Sequence, residues 1–313
     1  MSVYSQHPGA SRRTALALGA GTALTAALGL AGAGPAHALT TPAGPAEDRA
    51  AARFRALEER YGARLGVHAH DVRTGRTLAH RDRERFPMCS AFKTFVVAAV
   101  LRDLDHDGTF LARRLSYTAA YVARSGWSPV TGEPENIARG MTVAELCDAT
   151  IRFSDNTAAN LLLRELGGPT AVTRFARSTG DPVTRLDRWE PQLNSAEPWR
   201  VTDTTTPRAI ARTYGRLVLG RVLEPADRAL LTDWLLRNTT SPTRFRKGLP
   251  ADWTVADKTG GGEYGTNNDV GVTWPPDGGP ILLSVLTTRP EPEAEGVDEL
   301  VAAAATVVAE ELR

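Results

Sequence analysis

Cysteine and lysine are the scarce residues of this 313-residue chain. Two cysteines, Cys89 and Cys147, make no disulfide framework, so a hydrophobic core has to carry stability, and a chain of this length can bury one. Of 37 basic residues only Lys93, Lys247 and Lys258 are lysines. Where arginine otherwise serves, a retained lysine points to a compact amine able to lose its proton, which a guanidinium in a protein does not do. An excess of charge of one sign is missing too. The formal net charge is +1, and residues 1–38 hold Arg12 and Arg13 with no acid, so without them it becomes −1. That balance excludes a field that would draw in nucleic acid or an anionic membrane surface. Nor do the six histidines suggest a metal centre: His68 and His70 share one face of an expected strand, with Asp71 next, but His80 and His106 offer no third-ligand spacing. Asp103, Asp105 and Asp107 imitate a calcium loop, yet its twelfth position is Arg114, where a bidentate glutamate is required. No metal and no cofactor are expected.

What is present begins with an address. Ser11-Arg12-Arg13-Thr14, an apolar stretch from Ala15 to Ala33 and the small-x-small site Ala36-His37-Ala38 read as a twin-arginine signal peptide over residues 1–38. A glycine-rich run ending in a cleavage site argues against a membrane anchor, and no cysteine follows it to carry a lipid. The mature chain is expected to start near Leu39, after export to the periplasm or the exterior, as a monomer free of the membrane. Residues 39–45 read as a linker rich in proline, alanine and glycine.

Beyond it, Ala46 to Tyr61 reads as an amphipathic helix, and Leu65 to Val72 with Thr77 to His80 as a hairpin around Thr74-Gly75. From Leu111 to Leu235 the pattern is mostly helical. Strand-like runs at Trp253–Gly260, Val270–Trp274 and Ile281–Thr288, with turn residues between them, predict an antiparallel meander, and Val297 to Leu312 closes as a helix. The fold class is therefore α+β: a five-stranded antiparallel sheet flanked by helices, built from residues 46–84 plus 236–313. Residues 85–235 form an inserted all-α lobe, with the active site in the groove between lobes.

Four short motifs punctuate this frame. Ser90-Ala-Phe-Lys93 opens the apolar helical run from Phe92 to Leu101, so the Ser90 hydroxyl and the Lys93 amine lie on one face, in a first turn whose free N–H groups favour an oxyanion. Ser154-Asp155-Asn156 interrupts two helices, one from the capping box Thr142–Glu145 to about Arg152, the other from Thr157 to Leu166. Glu190 lies in Asp187-Arg-Trp-Glu-Pro-Gln-Leu-Asn194, within an aperiodic segment from about Gly180 to Thr206; unstructured loops of that length are usually functional. Lys258-Thr259-Gly260 belongs to the first strand of the meander.

With these pieces in order, the chain resembles a class A serine β-lactamase over essentially its whole mature length, and the match of four motifs in register is far more specific than any one. The resemblance implies the serine β-lactamase and penicillin-binding-protein transpeptidase-like fold, and hydrolysis of a small-molecule β-lactam, giving antibiotic resistance. It makes Ser90 the nucleophile and the N–H groups of Ser90 and Gly261 the oxyanion hole. Either Lys93 or Glu190 acting through a water takes the serine proton, and Ser154, helped by Lys93 and Lys258, relays one to the lactam nitrogen. Glu190 and Asn194 would activate the deacylating water. Asn156 would bind the acylamino side chain; Lys258, Thr259 and Gly260 would line the substrate, the first two facing its carboxylate. Where many members carry an arginine on the strand after Lys-Thr-Gly, this chain has Asn267, so Arg244 is expected to substitute. Arg188 and Asp203 match a loop-closing ion pair, and Trp127 an aromatic at the groove mouth.

The cysteines depart from the family pattern. Cys147 matches half of a common disulfide whose partner position is Val97, and Cys89 half of another whose partner position is Gly262. Two free thiols are expected. A related D-Ala-D-Ala peptidase, or a β-lactam sensor that acylates without turnover, is the alternative; Glu190 and Asn194 weigh against both.

Overall fold

The hairpin and the meander join into one sheet. A computed structural model describes residues 45–313; the signal peptide expected over 1–38 and residues 39–44 of the expected linker lie outside the described residues. Residue 45 already opens the first helix, α1 (Pro45–Tyr61). Strands β1 (Arg64–Asp71), β2 (Thr77–His80), β3 (Thr254–Gly262), β4 (Thr266–Trp274) and β5 (Ile281–Thr288) form an antiparallel sheet in the order β2-β1-β5-β4-β3. The sheet places the Lys-Thr-Gly strand at an edge, with Lys258 opposite Val270 and Gly260 opposite Asn268. Strand β4 begins four residues before the expected Val270, because Thr266, Asn267, Asn268 and Asp269 are buried without being apolar. Hydropathy alternation does not register such residues.

Each face of the sheet is covered. On one lie α1 and the closing helix α8 (Asp298–Leu312), where Phe54, Leu65, Val67, Leu283, Val301 and Val308 form a core. On the other lies the core that includes α2 (Lys93–Asp103), α3 (Val143–Arg152), α4 (Asn156–Glu165), α5 (Thr170–Ser178), α6 (Pro207–Val218) and α7 (Pro225–Leu236). Every residue of α2 from Lys93 to Leu101 is buried, which is why its sequence from Phe95 to Leu101 is apolar on all sides. Each Phe, Val or Leu buried there contributes about 1.5–3 kcal/mol relative to exposure. The capping box at Thr142 forms as expected: Glu145 N–H donates to Thr142 Oγ1 at 3.1 Å, and Thr142 N–H to Glu145 Oε2 at 2.7 Å. Cys89 and Cys147 are buried free thiols.

Candidate active site

The turn that carries Ser90 is not the α-helical turn that the sequence suggests. Cys89–Phe92 is a 3₁₀ turn leading into α2, since Cys89 has φ +43°, a left-handed conformation outside the α-helical region. In a 3₁₀ turn residues i and i+3 eclipse, so Ser90 and Lys93 still project together. The turn is held from below and beside. Tyr214 Oη on α6 donates to Ala91 O at 2.9 Å, and Asn268 Nδ2 on β4 donates to Pro87 O and Met88 O at 2.9 and 3.2 Å. Strand β3 approaches so closely that a Cβ on Gly260 would sit 2.7 Å from Met88 O and 3.2 Å from Ser90 N. Only glycine fits that position of Lys-Thr-Gly.

Around Ser90 the four motifs converge. Ser90 Oγ lies 3.3 Å from Glu190 Oε1, and Lys93 Nζ lies 3.1 Å from the same oxygen, with both charged side chains fully buried. Lys93 Nζ also donates to Ser154 O at 2.7 Å, Ser154 Oγ at 3.3 Å and Asn156 Oδ1 at 2.6 Å. Burial pushes the Lys93 amine below the ordinary lysine range, against the opposing pull of the Glu190 charge. Lys258 Nζ, buried, donates to Thr259 O at 2.9 Å. Burial, then the neighbouring charge of Lys93, hold its pKa well below the usual value. Asn194 Nδ2 donates to Glu190 Oε2 at 2.5 Å, and Asn194 Oδ1 is a buried acceptor without a partner among the described residues.

Local structure explains how each loop holds its residue. Asp155 caps α4 through Ala158 N–H at 2.9 Å, and its carboxylate also takes the N–H groups of Val130 and Thr131 at 3.0 and 2.9 Å. That leaves Ser154 at φ +57°, presenting its side chain from a strained turn. Asn156 is more committed than expected: beyond Lys93, its Nδ2 donates to Ser125 O at 3.0 Å, leaving one amide hydrogen for a ligand. Thr259 Oγ1 is 2.5 Å from Thr240 Oγ1. Arg188 Nε meets Asp203 Oδ2 at 2.5 Å, and Asp203 Oδ1 takes the N–H groups of Asp187 and Arg188, so the ends of the Glu190 loop are tied together. Trp127 is 65% exposed; its Nε1 donates to Phe153 O at 3.1 Å and its carbonyl accepts from Asn156 N–H at 2.8 Å, which fixes the indole beside the Ser-Asp-Asn turn.

Arg244 reaches the Lys-Thr-Gly strand. Its Nη1 donates to Gly260 O and Asn268 O at 3.1 and 2.9 Å, and its Nε pairs with Asp298 at 2.7 Å. Asn267 Nδ2 donates to the same Asp298 oxygen at 2.9 Å, so the asparagine supports the carboxylate that orients the guanidinium. Gly261 follows Gly260 in β3 with open space beside it, the nearest atom to an added Cβ being Thr266 O at 3.8 Å. A Cβ on Gly262 would lie 2.8 Å from Cys89 Sγ, so the expected adjacency of these two positions holds.

One residue of the site went unnoticed in the sequence. Asn160 Nδ2 donates to Glu190 O at 2.9 Å and Asn160 Oδ1 accepts from Glu190 N–H at 3.1 Å, clamping the backbone of the loop glutamate, which precedes a cis Pro191. Its sequence signal was an asparagine on the buried face of α4, where an amide needs partners.

Residues 49–312 match the family model described as the β-lactamase enzyme family. The chain belongs to that family. It is a class A serine β-lactamase, 66% identical over 300 residues to a β-lactamase of Streptomyces fradiae, spanning 96% of each chain. It is 61% identical over 307 residues to a β-lactamase of Streptomyces albus G, spanning 96% of this chain and 97% of that one. The solved β-lactamase from Streptomyces albus G superposes with a TM-score of 0.83 at 65% identity, over 84% of this chain and 98% of that one. A β-lactamase crystal structure from Desulfarculus baarsii DSM 2075 gives 0.82 at 48% identity, over 85% and 98%. The α+β fold with its five-stranded antiparallel sheet is thus the fold of this β-lactamase family.

Proposed function

We propose that this β-lactamase opens the lactam ring through an ester on Ser90. The observation that carries the reading is the buried Glu190 carboxylate, in reach of Ser90 Oγ, Lys93 Nζ and Asn194 Nδ2 at 3.3, 3.1 and 2.5 Å. The Ser90 Oγ–H proton passes to the Lys93 amine directly, or to Glu190 through a water, as Oγ bonds to the lactam carbonyl carbon. The N–H groups of Ser90 and Gly261 stabilise the oxyanion. As the C–N bond breaks, Ser154 Oγ–H protonates the nitrogen and is resupplied from Lys93 Nζ, 3.3 Å away. A water held by Glu190 and by Asn194 Oδ1, which has no partner among the described residues, then attacks the ester carbon; Glu190 takes the water's proton and returns it to Ser90 Oγ, 3.3 Å away, as the C–O bond breaks.

Substrate binding in this proposal falls to Asn156 for the acylamino group, and to Thr259 with the positive charges of Lys258 and Arg244 for the carboxylate. The Gly260–Gly261 backbone would run beside the substrate and Trp127 stack at the rim, with residues 46–84 plus 236–313 on one side of the groove and 85–235 on the other. Export by the twin-arginine route as a free monomer rests on the pattern of residues 1–38. No helix among the described residues is long and apolar enough to cross a membrane. The test is intact mass during reaction with a penicillin, beside Glu190→Ala. Turnover by the parent and a trapped adduct on Ser90 in the variant are expected; a persistent adduct on the parent would instead indicate a sensor or peptidase.

A further inference from the structure

Four of the arginines of this chain gather in one place away from the Ser90 site. A cavity of about 290 Å³ at the start of α6 is lined by Arg83, Arg208, Arg212 and Arg216, together with Asp181 and the neighbouring Pro182–Val183 turn. Among the described residues only Arg208 of these four forms an ion pair, with Asp82 at 2.7 Å. Asp82 is further occupied by His68 Nδ1 at 3.0 Å. The buried Asp181 carboxylate offsets one of these charges, but its oxygens are already held by neighbouring donors. It accepts from the N–H groups of Val183 and Thr184 at 2.8 and 2.9 Å and from the hydroxyls of Thr184 and Thr213 at 2.5 and 3.2 Å. Arg216 Nη1 is fixed on Thr179 O at 2.7 Å, while Arg83 and Arg212 are exposed.

Four guanidiniums thus line one small cavity with the single carboxylate of Asp181, and with Asp82 paired to Arg208 beside it positive charge stays in excess there, in a chain whose overall charge is near neutral. Their mutual repulsion is relieved by an anion, and a single carboxylate matches only one guanidinium fork. A phosphoryl group, with two negative charges and three acceptor oxygens, matches several, and a cavity of this size suits a small ligand. We propose that this cavity is a second binding site, for a phosphate-bearing anion, separate from the Ser90 groove.

Calorimetric titration of the mature enzyme with sodium pyrophosphate, at ionic strength held constant with sodium chloride, tests this. One-site binding is expected, weakened about tenfold or more in Arg212→Ala and in Arg83→Ala, and less in Arg212→Lys, which keeps the charge but loses the fork. Saturating pyrophosphate should leave β-lactam turnover unchanged. Neither arginine has an ion-pair partner among the described residues, and unaltered melting temperatures would show that the variants fold. Sedimentation with phosphatidylglycerol–phosphatidylcholine vesicles separates the sources of the phosphate: vesicle binding lost in Arg212→Ala assigns it to a lipid headgroup, while pyrophosphate binding alone assigns a soluble ligand. Absence of binding to either probe would overturn the proposal. So would binding unaffected by both alanine variants, or competition with the β-lactam, which would put the anion beside Lys258 and Arg244.

Discussion

Replacing Asn160 by alanine should disable the loop glutamate without touching a reacting group. The amide makes two hydrogen bonds to the Glu190 backbone, at 2.9 and 3.1 Å, inside a buried site. Alanine leaves the Glu190 N–H and C=O without those partners, and each buried unsatisfied group costs about 1–3 kcal/mol, so the loss should be about 2–6 kcal/mol. At roughly 2 °C per kcal/mol for a domain of this size, the melting temperature should fall by roughly 4 to 12 °C. A carboxylate displaced by even 1 Å from its water can lose about 10²-fold in rate. Deacylation should therefore slow by about that factor, while Ser90 keeps its place in the 3₁₀ turn and Lys93 in α2, and acylation falls less. Stopped-flow kinetics with a penicillin should show a burst absent from the parent, and intact mass an accumulating adduct. A melting temperature within about 1 °C of the parent would refute the energetic argument. A destabilised variant that deacylates at the parent rate would show that the clamp serves the fold and not the carboxylate.

Arg188→Ala leaves the buried Asp203 carboxylate with its backbone N–H partners but no cation, and a loss of about 2–3 kcal/mol in denaturant unfolding is expected; no change would mean the pair is inert. Arg244→Ala should raise KM for a penicillin by about tenfold or more with little change in kcat, and an unchanged KM would remove Arg244 from the carboxylate site. Asp298 keeps Asn267 and Thr243 as partners in that variant, so the fold should hold. In Glu190→Gln the charge that raises the Lys93 pKa is gone, so the amine, already lowered by burial, should titrate lower still. Acylation of that variant should rise with pH and level off below the ordinary lysine value of about 10.4; a flat profile from about pH 5 to about pH 10 would exclude Lys93 as the proton acceptor. Between the depressed folded pKa and the unfolded one, the unfolded chain binds more protons, so Lys93 makes stability rise with pH across that window.

Sequence alone determined the elements and the cast. Hydropathy period, the Thr142 capping box and turn residues are local signals, and they placed α1, α3, the hairpin and the three-stranded meander close to their observed bounds. Rare lysine marked Lys93 and Lys258, and motif order marked Ser90, Ser154 and Glu190, because a nucleophile and its proton carriers must be of particular chemical types. Tertiary structure decided what those types touch. The 3₁₀ turn at Cys89, the early start of β4 through buried Thr266 to Asp269, the Asn160 clamp, the anchoring of Arg244 on Gly260, Asn268 and Asp298, and the arginine cavity have no local signature. Each depends on groups far apart in the chain, as with Ser90 and Glu190, 100 residues apart. A polar side chain reads alike in sequence whether it faces water or a buried backbone amide. Only folding brings the partner that makes the difference.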